Sequence, residues 1–302
     1  NLEKIDVSLR NSNKETLFHC AMKSKNVELI EYLISNLPIN INACDKYKRT
    51  ILHYACMYNL FELVKFISSR KFVDISIADC TNTNALHYAC QTGNQGLFRF
   101  LRMRGAFDLK AKNDDNMSIL HFACKSGQID FVDSIIQLNQ NNVQDKDIYN
   151  RTLLHLSLNH LELVKHLLQY PTIDINAQDD IDHETILHKI CRMGDLSLVE
   201  YIISLNNVDL GIVNGNNETI LDCAFDSSNL RLIEYLINIS TININPALLV
   251  SKVCKTHNLS MLTSFLDLNL LTVNTQDLNG LTPLHYACLY NDQDIIDELL
   301  DH

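Results

Sequence analysis

Thr50-Ile51-Leu52-His53-Tyr54-Ala55-Cys56 decides how this chain is read, because it does not occur alone. Thr282-Pro283-Leu284-His285-Tyr286-Ala287-Cys288 nearly duplicates it, and Asn84 to Cys90 and Ser118 to Cys124 are close relatives. Weaker copies surround Thr16 to Ala21, Thr152 to Ser157, Thr185 to Cys191 and Thr219 to Ala224. The histidine of the motif serves as a ruler. The anchors are His19, His53, His87, His121, His155, His188, Asp222, Ser251 and His285, separated by 34, 34, 34, 34, 33, 34, 29 and 34 residues. Seven of the twelve histidines fall on this comb, which chance scattering would not produce. A fixed period of this size marks stacked supersecondary modules.

One module shows what each unit is. Thr50 can cap a helix by accepting a free first-turn amide. Leu52, Ala55 and Cys56 then share one helical face. Asn59 stands where the helix must break, and Phe61-Glu62-Leu63-Val64-Lys65-Phe66-Ile67 supplies a second amphipathic run. Val73 to Asp79 alternates apolar and polar residues and predicts an extended hairpin arm, as does Ile173 to Asp179. The order is helix, turn, helix, hairpin. Asn82, Asn116, Asn150, Asn217 and Gly280 recur in the hairpins, and Asn59, Gly93, Gly127, Gly194 and Asn291 between the helices. Gly and Asn tolerate positive φ best, so both sets predict left-handed bends.

The motif resembles the T-P-L-H-x-A signature of the ankyrin repeat family, whose unit is about 33 residues. The resemblance covers nearly the whole chain. It implies an all-α fold with short β-hairpin loops: an elongated, curved ankyrin-repeat solenoid forming one domain over residues 1–302, with about nine repeats. Departures exist. Only Pro283 keeps the proline, and the fifth repeat lacks about two residues between His155 and Leu161. The eighth repeat (Leu248 to Leu268) is degenerate. Pro246 just before it and a shortened hairpin over Thr241 to Asn245 make it the expected weak joint.

Composition narrows the function. With 36 acidic against 25 basic residues the net charge is −11, which disfavours nucleic acid and anionic membranes as partners. No run of about 18 apolar residues is present to span a bilayer. Eight Gly and four Pro argue against low complexity and Gly-rich phosphate loops. Ten cysteines in a long, regular, hydrophobic chain fit a reducing compartment, cytoplasmic or nuclear, better than a disulfide framework. The sequence starts at Asn1 and ends at Asp301-His302, which suggests a fragment of a longer chain.

The chemical motifs dissolve under counting. The H-x-A-C pairs (His53/Cys56, His87/Cys90, His121/Cys124, His285/Cys288) belong to separate modules, too far apart to converge on one zinc ion. Their cysteines read as small buried hydrophobes. His183 and His188 are five apart, not the four that a zinc-protease helix needs. The acidic pairs Asp114-Asp115 and Asp179-Asp180 are expected on exposed hairpin tips. Tyr54, Tyr88 and Phe122 are expected to pack. Arg99, Arg102, Arg104, Lys110 and Lys112 form a basic cluster, read as a solvated face. By the resemblance, the repeated histidines make structural hydrogen bonds. No catalytic, metal or cofactor-binding residue is assigned.

Repeat stacks bind on their concave face, which the resemblance builds from hairpin tips and first-helix ends. In register these contribute Tyr47, Arg49, Met57, Tyr58, Gln91, Thr92, Met117, Lys125, Tyr149 and Arg151. Tyr, Arg and Met are enriched in interface cores, so Tyr47, Arg49, Met57 and Tyr58 are the expected centre, with Tyr149 and Arg151 as a second patch. Second helices carry acids, so the groove is expected to be less negative than the back. The reading is a non-enzymatic scaffold, a monomer able to stack end to end, that binds a protein or peptide. The alternative is a regulatory or targeting arm of a larger enzyme, channel or effector.

Overall fold

A computed structural model describes residues 6–105, 107–139, 143–239 and 246–301. Eighteen helices run through them in pairs. The first members are α1 (Leu17–Ser24), α3 (Ile51–Met57), α5 (Ala85–Gln91), α7 (Ile119–Cys124), α9 (Leu153–Leu156), α11 (Ile186–Met193), α13 (Ile220–Asp226), α15 (Pro246–Lys255) and α17 (Pro283–Tyr290). The second members are α2 (Val27–Asn36), α4 (Phe61–Ser68), α6 (Gln95–Arg104), α8 (Ile129–Asn139), α10 (Leu161–Leu167), α12 (Leu196–Ser204), α14 (Leu230–Ile237), α16 (Leu259–Asp267) and α18 (Gln293–Asp301).

The chain divides into two compact units, residues 1–174 and 175–302. The division falls between Asp174 and Ile175. In the first unit α1, α3, α5, α7 and α9 pack in series, with α2, α4 and α6 behind; in the second, α11, α13, α15 and α17 do the same. Pro246 is the first residue of α15, where its missing N–H costs nothing, rather than a residue before the helix. The hairpin over 241–245 lies outside the described residues, as does the Leu248 side chain.

Packing follows the 34-residue register. Leu63, Val64 and Ile67 of α4 are fully buried, as are Leu97 and Leu101 of α6. Each such side chain contributes about 1.5–3 kcal/mol of hydrophobic free energy. Phe98 and Phe131 meet edge to face at 5.5 Å between the third and fourth pairs. Cys56, Cys90 and Cys124 are wholly buried. Tyr54, Tyr88 and Phe122 are buried too, so that stripe is packing, as expected.

Every Gly and Asn expected to bend does so: Gly93, Gly127, Gly194, Asn59 and Asn291 between helices, and Asn82, Asn116, Asn150, Asn217 and Gly280 in the hairpins all have positive φ, but so do Lys25, Lys48, His183, Ser228 and His257, which residue type did not single out. At Gly127 (φ +72°) an added Cβ would lie 2.3 Å from Nδ1 of His160, whereas at Gly280 (φ +78°) nothing lies within 4 Å. Gly127→Ala should cost about 1–2 kcal/mol, and Gly280→Ala only the left-handed penalty of about 1 kcal/mol. Denaturant midpoints check this, and equal losses would remove the steric half of the argument.

The hairpins are barer than alternation predicts. Only isolated bridges occur among the described residues, Ala78 with Asn84 and Lys112 with Ser118. Residues 75–76 and 175–176 are turns, not extended arm. At the first of these Asp74 Oδ1 accepts the Ser76 N–H at 2.9 Å. The tips are held by a side chain in place of a strand ladder. Asp79 Oδ1 accepts the N–H of Thr81 and of Thr83 at 2.9 and 3.0 Å. Asp45, Asn113, Asp147, Asn214 and Asp277 repeat the arrangement, each taking the amides two and four residues on. With these donors satisfied locally, no second strand is required.

Candidate protein-binding surface

Two devices hold the hairpin tips against the first helices. The first is the histidine. Thr50 N–H donates to Nδ1 of His53 at 3.1 Å, and the Thr50 hydroxyl lies 3.0 Å from the same nitrogen. The pattern recurs at His19, His121, His155, His188 and His285 with Thr or Ser, and at His87 with Asn84. Asp222 does the same work with Oδ2 on the Thr219 N–H at 2.9 Å. Where the partner is Thr or Ser, the backbone donor at Nδ1 leaves the ring proton on Nε2; at His87 the Asn84 amide oxygen, which only accepts, lies closer to Nδ1, at 2.9 Å. In His19 Nε2 donates to the Arg49 carbonyl of the next module at 2.9 Å. Burial pushes the imidazoles of His53, His87 and His121 down to about 4. They are neutral structural groups, which explains their periodicity without any chemistry.

The second device joins neighbouring tips by main chain. Lys46 N–H donates to Asn13 O, Cys80 N–H to Tyr47 O, Asp114 N–H to Thr81 O and Ile148 N–H to Asp115 O, at 2.8–3.0 Å. Successive tips of the first unit are thereby set in register.

On this frame Tyr47 and Tyr149 are both 45% exposed. Each carries a guanidinium against its ring: Arg49 at 5.2 Å from the Tyr47 centroid and Arg151 at 5.1 Å from that of Tyr149. Both arginines are anchored. Arg49 Nε donates to Asp79 Oδ2 at 3.3 Å, and Arg151 Nε to Asp147 Oδ2 at 2.7 Å. Arg49 also lies 5.7 Å from the Tyr88 ring. Met57 and Tyr58 are half-buried at the end of α3. Tyr58 meets Tyr54 at 6.1 Å and the Lys25 ammonium at 4.9 Å. Gln91 is exposed, and Thr92 turns its hydroxyl back onto the Ala89 carbonyl at 2.8 Å. Lys125 is exposed over Phe122, 5.4 Å from its centroid.

Met117 corrects the expectation. It is 3% exposed, with Sδ 3.8 Å from the Lys125 ammonium. Where Arg49 and Arg151 must keep a charge in water, an uncharged thioether folds beneath the lysine stem instead. Asp179 is a second correction: it is 1% exposed, not on an open tip, and Lys189 pairs with it at 2.9 Å.

The buried carboxylates are what sequence reading missed. Tyr54, Tyr88 and Tyr286 each donate a hydroxyl to an Asp nine residues earlier, at 2.8, 2.6 and 2.7 Å. Where the partner is Phe122 or Cys223, the position nine before is Asn113 or Asn214. Asp147 faces Leu156 at that spacing and takes Arg151 as its donor. A spacing of nine between Tyr and Asp was the available signal.

At the same register positions the second unit carries ions paired among themselves. Lys189 bridges Asp179 and Glu184; Arg192 bridges Glu184, Glu218 and Asp226; Lys252 meets Glu218. Burial would raise the Glu184 carboxyl, but Arg192 and Lys189 hold it below its usual range. No group of three or more His, Cys, Asp or Glu arranged to hold a metal is present among the described residues, and none of their helices is long and apolar enough to cross a membrane.

The comparison with known families agrees with this geometry. A family described as ankyrin repeats (3 copies) matches residues 2–79, 41–113, 86–179 and 159–247, and ankyrin repeat matches 279–302. Ankyrin repeats are in general protein–protein interaction modules, typically without catalysis of their own. A 34-residue period of paired helices, capped by Thr and His and tied tip to tip, has its explanation in that match: the chain belongs to the ankyrin repeat family.

Proposed function

We propose that this chain is a non-enzymatic scaffold that binds a protein or peptide in the groove lined by the hairpin tips and first-helix ends of the first unit. The observation that carries the reading is the pair of exposed tyrosines, Tyr47 and Tyr149, each stacked with an arginine that a buried aspartate holds in place. Tyr and Arg dominate interface hot spots, and side chains ordered before binding lose little entropy on contact. The self-paired charges of the second unit leave less for a partner to satisfy. Gln91 and Lys125 extend the surface; Met117 supports it from below. Wholly buried thiols at Cys56, Cys90 and Cys124 support a reducing compartment, cytoplasmic or nuclear.

The test is calorimetric titration with a partner recovered by affinity capture. Tyr47→Ala with Tyr149→Ala should weaken binding by about tenfold or more while leaving the thermal midpoint nearly unchanged, since each hot-spot truncation costs about 2 kcal/mol. Unchanged affinity would place binding elsewhere.

A further inference from the structure

The second-helix side of the first unit contains one groove unlike the others. Between α2 and α4, Arg70 donates to Ser35 Oγ at 3.1 Å. Between α4 and α6, Phe61 packs on Phe100 at 5.9 Å, and Arg104 reaches the Ser68 carbonyl at 3.5 Å. Between α8 and α10, Asp133 takes both His166 Nε2 at 2.7 Å and the Tyr170 hydroxyl at 2.9 Å. No side-chain hydrogen bond or ion pair joins α6 to α8 among the described residues. A cavity of about 240 Å³ lies there, floored by Phe98 and Phe131 and walled by Arg99, Arg102, Ser134 and Leu138.

Its charge is equally out of place. Each other second helix of this unit carries at least one acid, whereas Gln95–Arg104 carries three arginines and none. Gln95, Arg99 and Arg102 fall at i, i+4 and i+7, so one stripe of α6 faces the cavity. Arg104 is engaged with Ser68 and Phe100, and Lys112 with Asp145 at 3.3 Å. Arg99 and Arg102 are exposed and have no hydrogen-bond, ion-pair or ring partner among the described residues. The expected basic cluster therefore resolves into two anchored cations, Arg104 and Lys112, and three unpartnered ones, of which Arg99 and Arg102 line the cavity and Lys110 does not.

We infer that the α6/α8 groove is a second docking site, distinct from the hairpin-tip surface, and that it takes an acidic peptide segment of a partner protein. Two guanidiniums one helical turn apart match two carboxylates on one face of a peptide, each able to form a forked pair. The apolar floor and Leu138, 44% exposed, would receive an aliphatic side chain beside them and thin the water around the ion pairs. Two cations lining one cavity of an acidic protein are too few for a nucleic acid or an anionic bilayer, which reward many phosphate contacts.

Fluorescence anisotropy of the full chain tests this. The probe is a labelled helical peptide with two glutamates one turn apart beside a leucine, and its control replaces both glutamates with glutamine. Saturable binding is expected, weakened about tenfold or more by Arg99→Gln with Arg102→Gln, by the glutamine control, and by salt above the Debye-screening range. Tyr47→Ala should leave it within about twofold, which separates this groove from the proposed tip surface. Absence of saturable binding up to about 1 mM peptide, or equal affinity for the arginine variant, would overturn the inference. So would inorganic phosphate that binds the same two arginines more tightly than the peptide, since the groove would then be a phosphate pocket.

Discussion

Lowering the pH from 7 to 5 should strip about 6 kcal/mol of stability from the first unit through three histidines alone, a large part of an ordinary domain's total. His53, His87 and His121 sit near 6.5 when unfolded and are held at about 4 when folded. Burial is the largest cause. For His53 and His121 the Nδ1 geometry adds a reason: a proton there would face the Thr50 or Ser118 N–H, which already donates to that nitrogen. The folded value lies below the unfolded one, so the unfolded chain binds protons first. The stability is fully present above about pH 6.5 and is lost as the pH falls toward 4. At pH 5 each ring costs about 1.5 units at 1.36 kcal/mol, or about 2 kcal/mol. Urea unfolding at pH 7, 6 and 5 measures it. His87→Gln should reduce the pH slope by about a third of the three-histidine contribution, with burial lowering His19 in the same direction. A midpoint that does not move between pH 7 and 5 would refute the assignment. Asp79, Asp179 and Glu184, held below their ordinary values, act at lower pH and do not confuse the window.

Tyr88→Phe should cost about 2–3 kcal/mol, although it removes one oxygen atom from a chain of 302 residues. That hydroxyl donates to Asp79 Oδ2 at 2.6 Å, and Asp79 is almost wholly buried. Burial would raise this carboxyl. Tyr88, the Thr81 side chain and the tip amides outweigh that and hold it below its usual range. Without Tyr88 the Oδ2 keeps only Arg49 at 3.3 Å, so a buried anion is left under-satisfied. The fourth module shows the cure: Phe122 is matched by Asn113, whose amide donates to Thr83 Oγ1 at 3.0 Å. Adding Asp79→Asn to Tyr88→Phe should therefore recover about half or more of the loss, whereas Asp79→Asn alone should destabilise. A double-mutant cycle on denaturant midpoints gives the coupling. Strict additivity of the two changes would show that the spacing of nine between Tyr and Asp is incidental.

Much of the fold was legible because its determinants are local. The period needs only residue identities. The bends at Gly93, Gly127 and Asn82 need only the steric cost of a Cβ at positive φ. Thr50 and His53 close a cap within one helical turn. The hairpins misled for a local reason as well. Val73 to Asp79 alternates, but Asp74 and Asp79 spend their carboxylates on nearby amides and replace the ladder that alternation implies. For the binding surface, the tips carrying Tyr47, Arg49, Tyr149 and Arg151 could be located from register. Their state could not. Met117 occupies the same register position as Arg49 and Arg151 and is buried, because a thioether gains from leaving water and a guanidinium does not.

The amino-acid order by itself determined the module, its repetition, its first-helix caps and the left-handed turns that carry Gly or Asn, since each is settled within a few residues of chain. Only the tertiary structure decided which charges are spent and which are free. Arg49 is committed to Asp79 thirty residues on, while Arg99 and Arg102 find nothing across the gap to α8. Solvation and ion pairing depend on which side chain the next module brings within a few ångströms, and that distance is a property of the stack rather than of the neighbouring residues in sequence.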